Sequence, residues 1–188
     1  MLEELGRIFI ALFVIMDPFG SIPLFLLATQ GTKKVDRAAA HATGVAAAVF
    51  LFFLLFGDLL FRLLGIEFSS LRIGGGLILG ALGVEIVLGR ELWKPKSRSS
   101  ALALVGTPML TGPGVIVSTM IFVKSYGYTP TLLGGLLVLL SSWLILRLSS
   151  HFHRVLGREG VEIVSRIMGL LLVTIAVDLV MGGIKAAL

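Results

Sequence analysis

Residues 16–24 read Met-Asp-Pro-Phe-Gly-Ser-Ile-Pro-Leu, MDPFGSIPL, inside an apolar run, Ile8–Gln30, that otherwise has the make-up of a transmembrane helix. A proline deletes a backbone donor, clashes with the preceding turn and pushes the residue before it out of the α region. One proline gives a kink. Two of them five residues apart, Pro18 and Pro23, with Gly20 between, predict several unwound residues. In hydrocarbon each unsatisfied backbone group costs several kcal/mol, so such a break survives only against protein or a wet cavity.

The rest of the chain supports the membrane setting. Of 188 residues, 56% are hydrophobic and 14% charged, and the mean hydropathy is +1.02. Soluble domains carry about a quarter charged residues. Six segments have the length and apolarity of spans: Ile8–Gln30, Ala38–Leu60, Ile73–Gly89, Ala101–Val123, Thr129–Leu146 and Ile167–Ile184. The fold expected is an all-α polytopic membrane protein. The first segment is too long for the apolar core of a cleavable signal. With no cysteine, disulfides and thiolate metal sites are excluded.

The net charge of +5 and pI near 10.0 do not point to nucleic acid, because the cations sit in short loops between spans. One side of a six-span topology carries Arg7, Arg62, Arg72, Lys124 and Lys185; the other carries the remaining eleven Lys and Arg. The positive-inside rule makes the richer side cytoplasmic and both termini external, in a plasma membrane.

An internal repeat is visible. Pro18–Pro23 and Pro108–Pro113 share a P-x-x-x-x-P spacing, Arg72-Ile73-Gly74-Gly75-Gly76-Leu77 resembles Arg166-Ile167-Met168-Gly169-Leu170-Leu171, and Gly89 falls opposite Gly183. The boundary lies in the polar stretch 90–100, giving halves 1–93 and 94–188. Each half has three spans, an odd number, so the halves enter the membrane in opposite senses, as in many secondary transporters. Gly20 and Thr111 lie midway between the cations flanking spans 1 and 4, so both breaks are expected near the midplane. Half-helix N-termini there offer N–H donors to a carboxylate, while unwound carbonyls accept from an ammonium or a cation. Gly112 and Gly114 flank Pro113 and allow close approach to the backbone.

Four acids lie in or near spans: Asp17, Asp58, Glu85 and Asp178. Asp17 has two readings, a substrate or proton acceptor and a cap for its own half-helix. Glu85 and Asp178 occupy nearly equivalent places near the outer ends of spans 3 and 6, as partners of helix-end cations or as vestibule groups that couple an ion. Asp58 reads as interfacial. The Gly76–Gly80 G-x-x-x-G reads as helix packing, including packing against the broken helices. His151 and His153, near Glu159 and Glu162, read as a solvated basic loop and not as a metal site. Trp93 and Trp143 suit an aromatic belt. No H-E-x-x-H, P-loop or G-x-S-x-G is present, so no enzyme and no cofactor is expected.

DPFGSIPLFL in the first span and TPMLTGPGVI in the fourth resemble the paired signature of the MarC/SnatA family, six-span proteins classed as small neutral amino acid transporters. The resemblance extends to RIGGGLILGALGVEIVLG and RIMGLLLVTIAVDLVMGGI. It implies transport of glycine, alanine and similar solutes by alternating access. It places Asp17, Pro18, Gly20 and Pro23 at one break and Pro108, Gly112, Pro113 and Gly114 at the other, and Phe19, Ser21, Thr107 and Thr111 complete the expected substrate-binding set. Members of the family often carry Asn where this chain has Ser21. Phe19 and Met109, at matched positions, are expected to limit side-chain size. Asp17, Glu85 and Asp178 are the acids available for coupling to H⁺ or Na⁺. The partners expected are the amino acid and the bilayer, with the oligomeric state open. A passive channel or ion-conducting pore, an exporter of another small solute and a non-transporting scaffold are the rival readings.

Overall fold

A computed structural model describes residues 2–30, 34–89, 110 and 112–188. Among them every regular element is a helix: α1 (Leu2–Met16), α2 (Ile22–Thr29), α3 (Val35–Leu64), α4 (Phe68–Val87), α5 (Pro113–Tyr126), α6 (Tyr128–Arg147) and α7 (Ser149–Ala187). Four stretches are single helices long and apolar enough to cross a membrane, namely α3, α4, α6 and Glu159–Ala187 of α7. They stay apolar on their outward faces, with Leu59, Leu77, Leu140 and Leu170 all more than half exposed. A helix apolar all round needs lipid or protein on every side. The first expected span is instead divided into α1 and α2. Of the fourth, only Leu110 and the residues from Gly112 on are described. The proposed boundary between halves, with Trp93, lies outside the described residues.

Local signals account for the ends. α3 has Asp36 in its first turn and Arg62 in its last, each sign matching the helix dipole. It closes with Gly65 at φ 66, whose N–H bonds Arg62 O at 3.2 Å while Ile66 N–H bonds Phe61 O at 3.0 Å. That is a Schellman cap, and only glycine enters the left-handed region there without a Cβ penalty. Asp58 bonds Arg62 one turn on at 2.7 Å and lies 3.9 Å from Lys124 of α5, in keeping with an interfacial place. At the other end Arg147 joins α6 to the start of α3 through Asp36 at 3.0 Å and lies over the Trp143 ring at 5.2 Å.

The tightest packing is between α4 and α7, which run antiparallel with almost no side-chain layer between them. A Cβ on Gly76 would lie 2.7 Å from Ala176 O, on Gly83 2.9 Å from Gly169 O, on Gly169 3.0 Å from Gly83 O, and on Gly183 2.9 Å from Ser69 O. The small-residue motif therefore packs chiefly against α7 and not against the broken helices. Gly75 is the exception, facing Val117 of α5. At the two ends of this seam Gly89 faces Arg166 and Gly183 faces Arg72.

The expected loop around His151 and His153 is helical. Its polar residues follow Leu148 directly into α7, and the helix turns sharply at Gly157, at φ 69 and ψ 179. Polarity there marks a segment lying outside the apolar span, not irregular backbone. No group of three or more metal-ligating residues occurs among the described residues.

Candidate functional site

The break between α1 and α2 is short and held by its own side chains. Asp17 takes φ 36, the left-handed region, which Asp tolerates better than most residues. Its N–H bonds Phe13 O at 3.1 Å and ends α1, while its own carbonyl accepts from Ser21 N–H at 3.3 Å. Ile22 N–H then bonds Phe19 O at 3.0 Å and starts α2, where Pro23 sits in the first turn and needs no donor. Sequence reasoning predicts several freed backbone groups. The chain satisfies several of them locally, because the αL residue and the turn after it bring the N–H groups of Gly20, Ser21 and Ile22 onto acceptors within the break itself.

Asp17 is 7% exposed and both carboxylate oxygens are engaged. Oδ1 accepts from Gly20 N–H at 3.1 Å, which is the capping role, and Oδ2 accepts from Ser165 Oγ of α7 at 2.6 Å. The second bond joins residues 148 apart in sequence. Gly20 is required by this geometry, since a Cβ would overlap the Asp17 carboxylate and lie 2.7 Å from Ser165 Oγ. Ser21 is fully buried, and its hydroxyl bonds Asp17 O at 3.3 Å. An ionised carboxylate has about four acceptor positions, and the two bonds leave capacity for an ammonium, a proton or a cation.

Phe19 does not face the carboxylate. Its ring packs edge-on against Phe13 at 6.2 Å and against Phe152 of α7 at 5.6 Å, in a small cluster with Ile22, Ile145 and Val161. The ring expected to limit substrate size thus packs between α1 and α7. Its proposed counterpart Met109 lies outside the described residues, as do Thr107, Pro108 and Thr111.

The expected second break falls at the start of α5, before which only Leu110 and Gly112 of that stretch are described. Gly112 is extended at φ −63 and ψ 179, Pro113 occupies the first turn, and Gly112 O accepts from Val115 N–H at 3.0 Å and Ile116 N–H at 3.3 Å. A Cβ on Gly114 would overlap Leu79 and lie 3.1 Å from Ile15 Cγ2. Ile15 is two residues before Asp17, so the N-terminus of α5 comes up beside the end of α1.

Glu85 and Asp178 are not neighbours. Antiparallel packing of α4 on α7 sends Glu85 to the Gly89 end and Asp178 towards the Arg72 end, which corrects the expectation that both lie near outer ends. Sequence reasoning missed Ser165, whose only local signal is a hydroxyl just before the apolar stretch of α7.

The chain matches the model of the MarC family, described as MarC family integral membrane protein, over residues 2–188. The chain belongs to the MarC family. Among its MarC relatives it is 35% identical to a UPF0056 membrane protein of Aquifex aeolicus, with 98% of this chain and 95% of the relative covered. It is 31% identical to one of Methanocaldococcus jannaschii, covering 96% and 95%, and 29% identical to the inner membrane protein YhgN of Escherichia coli, covering 98% of each. No solved structure matches the chain.

Proposed function

We propose that this MarC protein is a secondary transporter of small neutral amino acids, binding its solute where α1 is broken and α5 begins. The observation that carries the reading is Asp17, a buried carboxylate at a helix break, bonded to a hydroxyl on the last helix. An ionisable group buried among apolar helices is costly and is retained for function. The solute's ammonium goes to the free lone pairs of Asp17, its carboxylate to the first-turn N–H groups of α5, where the helix dipole favours an anion. Small solutes are favoured because Ile15, Leu79 and Val115 close around the second break.

The six-span, inverted-repeat arrangement belongs to this proposal. In it α1–α2, α3 and α4 form the first half, and the second comprises the span leading into α5, then α6 and α7. Support comes from the seam, where Gly89 meets Arg166 and Gly183 meets Arg72, the same pair transposed by 94 residues. Alternating access is driven by H⁺ taken up on Asp17 or by Na⁺ on the break carbonyls, in a plasma membrane with both termini outside. The protein carries the solute unchanged and uses no cofactor.

The test is counterflow of radiolabelled alanine in proteoliposomes, with Asp17→Asn as the control. Saturable counterflow that leucine and glutamate do not compete, and that Asp17→Asn removes, is the expected result. A non-saturating flux with measurable conductance would favour a channel, and no flux of any amino acid in folded protein would overturn the reading.

A further inference from the structure

At the Arg72 end of the seam, α1, α4, α5 and α7 line a half-open cavity of about 320 Å³, at the small end of the ligand-pocket range of about 300–1,000 Å³. Arg72, Asp178 and Ser118 line it. Arg7 also reaches it, but Arg7 is already paired with Glu3 at 2.8 Å. Arg72 and Asp178 carry opposite charges in one small space, yet no ion pair joins them or ties either to another described residue. The Arg72 Nε is buried without a hydrogen-bond partner.

Ser118 points the same way. It is 2% exposed and its hydroxyl has no partner. Many helical hydroxyls return to the carbonyl four residues back, as the adjacent Thr119 does to Val115 O at 2.7 Å; Ser142 and Ser149 are also buried without a partner, but neither lines this cavity. A buried hydroxyl without a partner loses its solvation for nothing, so one that lines a cavity is explained by what enters the cavity.

The opposite end of the seam provides the comparison. Arg166 stands 94 residues after Arg72, and it is paired one turn back with Glu162. The residue one turn before Arg72 is Phe68, whose ring lies 5.4 Å from the guanidinium carbon. A ring steadies a guanidinium but neutralises no charge. Where one arginine has an acid one turn back, the other has a ring there and shares the cavity lining with Asp178.

We propose that this cavity is a second solute site, which holds a small zwitterion with its carboxylate on Arg72 and Ser118 and its ammonium on Asp178. Resting on the transport reading above, it is the station a free amino acid occupies before or after the broken helices. Its chemistry is an anion and an ammonium a few atoms apart, which a phosphatidylethanolamine headgroup also offers, so the test separates the two sources.

The experiment is calorimetric binding of L-alanine, propionate and ethylammonium to purified protein in nanodiscs, in an Asp17→Asn background that disables the break site. Alanine is expected to bind, with propionate and ethylammonium each at least tenfold weaker because each meets one charge. Arg72→Gln and Ser118→Ala, added separately, should each weaken alanine about tenfold, the loss of a hydrogen bond to a charged group. Ser118→Ala removes a hydroxyl with no partner in the protein, so its folding is unaffected and the result stays interpretable. Absence of alanine binding in this background, or binding indifferent to both changes, overturns the site even if the native chain transports alanine. Arg72-dependent binding in a chain that fails counterflow upholds the site and removes the transport reading. Affinity should be equal in phosphatidylcholine discs with and without phosphatidylethanolamine. Arg72-dependent loss of alanine binding when that lipid is present would make the headgroup the occupant and overturn the free-solute assignment.

Discussion

Replacing Ser165 by alanine removes one oxygen atom and tests whether Asp17 is held from across the bundle. The bond it makes to Asp17 Oδ2 is 2.6 Å long and reaches a carboxylate that is 7% exposed. A hydrogen bond to a charged group contributes about 1.5–3 kcal/mol, one between neutral groups about 0.5–1.5. Ser165→Ala should therefore lower unfolding free energy by about 2 kcal/mol and detach Asp17 from α7. Asp17→Asn keeps the left-handed conformation, which Asn tolerates, and keeps an acceptor for the hydroxyl but without charge. The double-mutant cycle then isolates the charged share of the bond, expected at about 1 kcal/mol. The assay is reversible unfolding of the four proteins in mixed micelles, with alanine counterflow measured in parallel. Independent sites add to within about 0.3–0.5 kcal/mol, so a coupling inside that margin would refute the idea that a charged Asp17 depends on Ser165.

Gly20→Ala adds a methyl group that must displace the Asp17 carboxylate or Ser165, with an overpacking cost of about 1–3 kcal/mol. It should abolish counterflow while the protein still reaches the membrane, and normal uptake would remove the break from the site. Gly83→Val forces apart backbones that would be 2.9 Å from the new Cβ, so monodisperse yield after solubilisation should fall sharply. A variant as stable as the native chain would contradict the close seam. Phe19→Leu loosens the contact with Phe152 at a cost of about 1–3 kcal/mol and leaves the ranking of alanine over leucine unchanged. Altered selectivity would return Phe19 to the solute path.

Helices bounded by abrupt polarity changes were readable to within a residue. The expected Thr129–Leu146 is the helix Tyr128–Arg147, because Gly127 at φ 88 and Arg147 mark both limits. Helices continuing beyond lipid were not. Leu2–Arg7 belongs to α1 and Ser149–Leu156 to α7, although both segments carry charge, because helical hydrogen bonding does not depend on an apolar environment. At the site, Asp17 and Gly20 stood out because an acid and a glycine are conspicuous in an apolar run. Ser165 did not, since a serine near a helix end is common and its partner is fixed only by tertiary packing. The packing of Phe19 against Phe13 and Phe152 was not legible either, because position beside a motif does not determine which way a ring turns.

Four glycines that bring two main chains almost into touch also restrict how the molecule can move. Interlocked side chains can shear by changing rotamers, but a helix pair in near backbone contact has no such compliant layer. The α4–α7 pair is therefore a stator. In the transport cycle proposed above, opening one face and then the other would fall to the divided helix α1–α2, swinging against that fixed spine with the Asp17–Ser165 bond as its clasp.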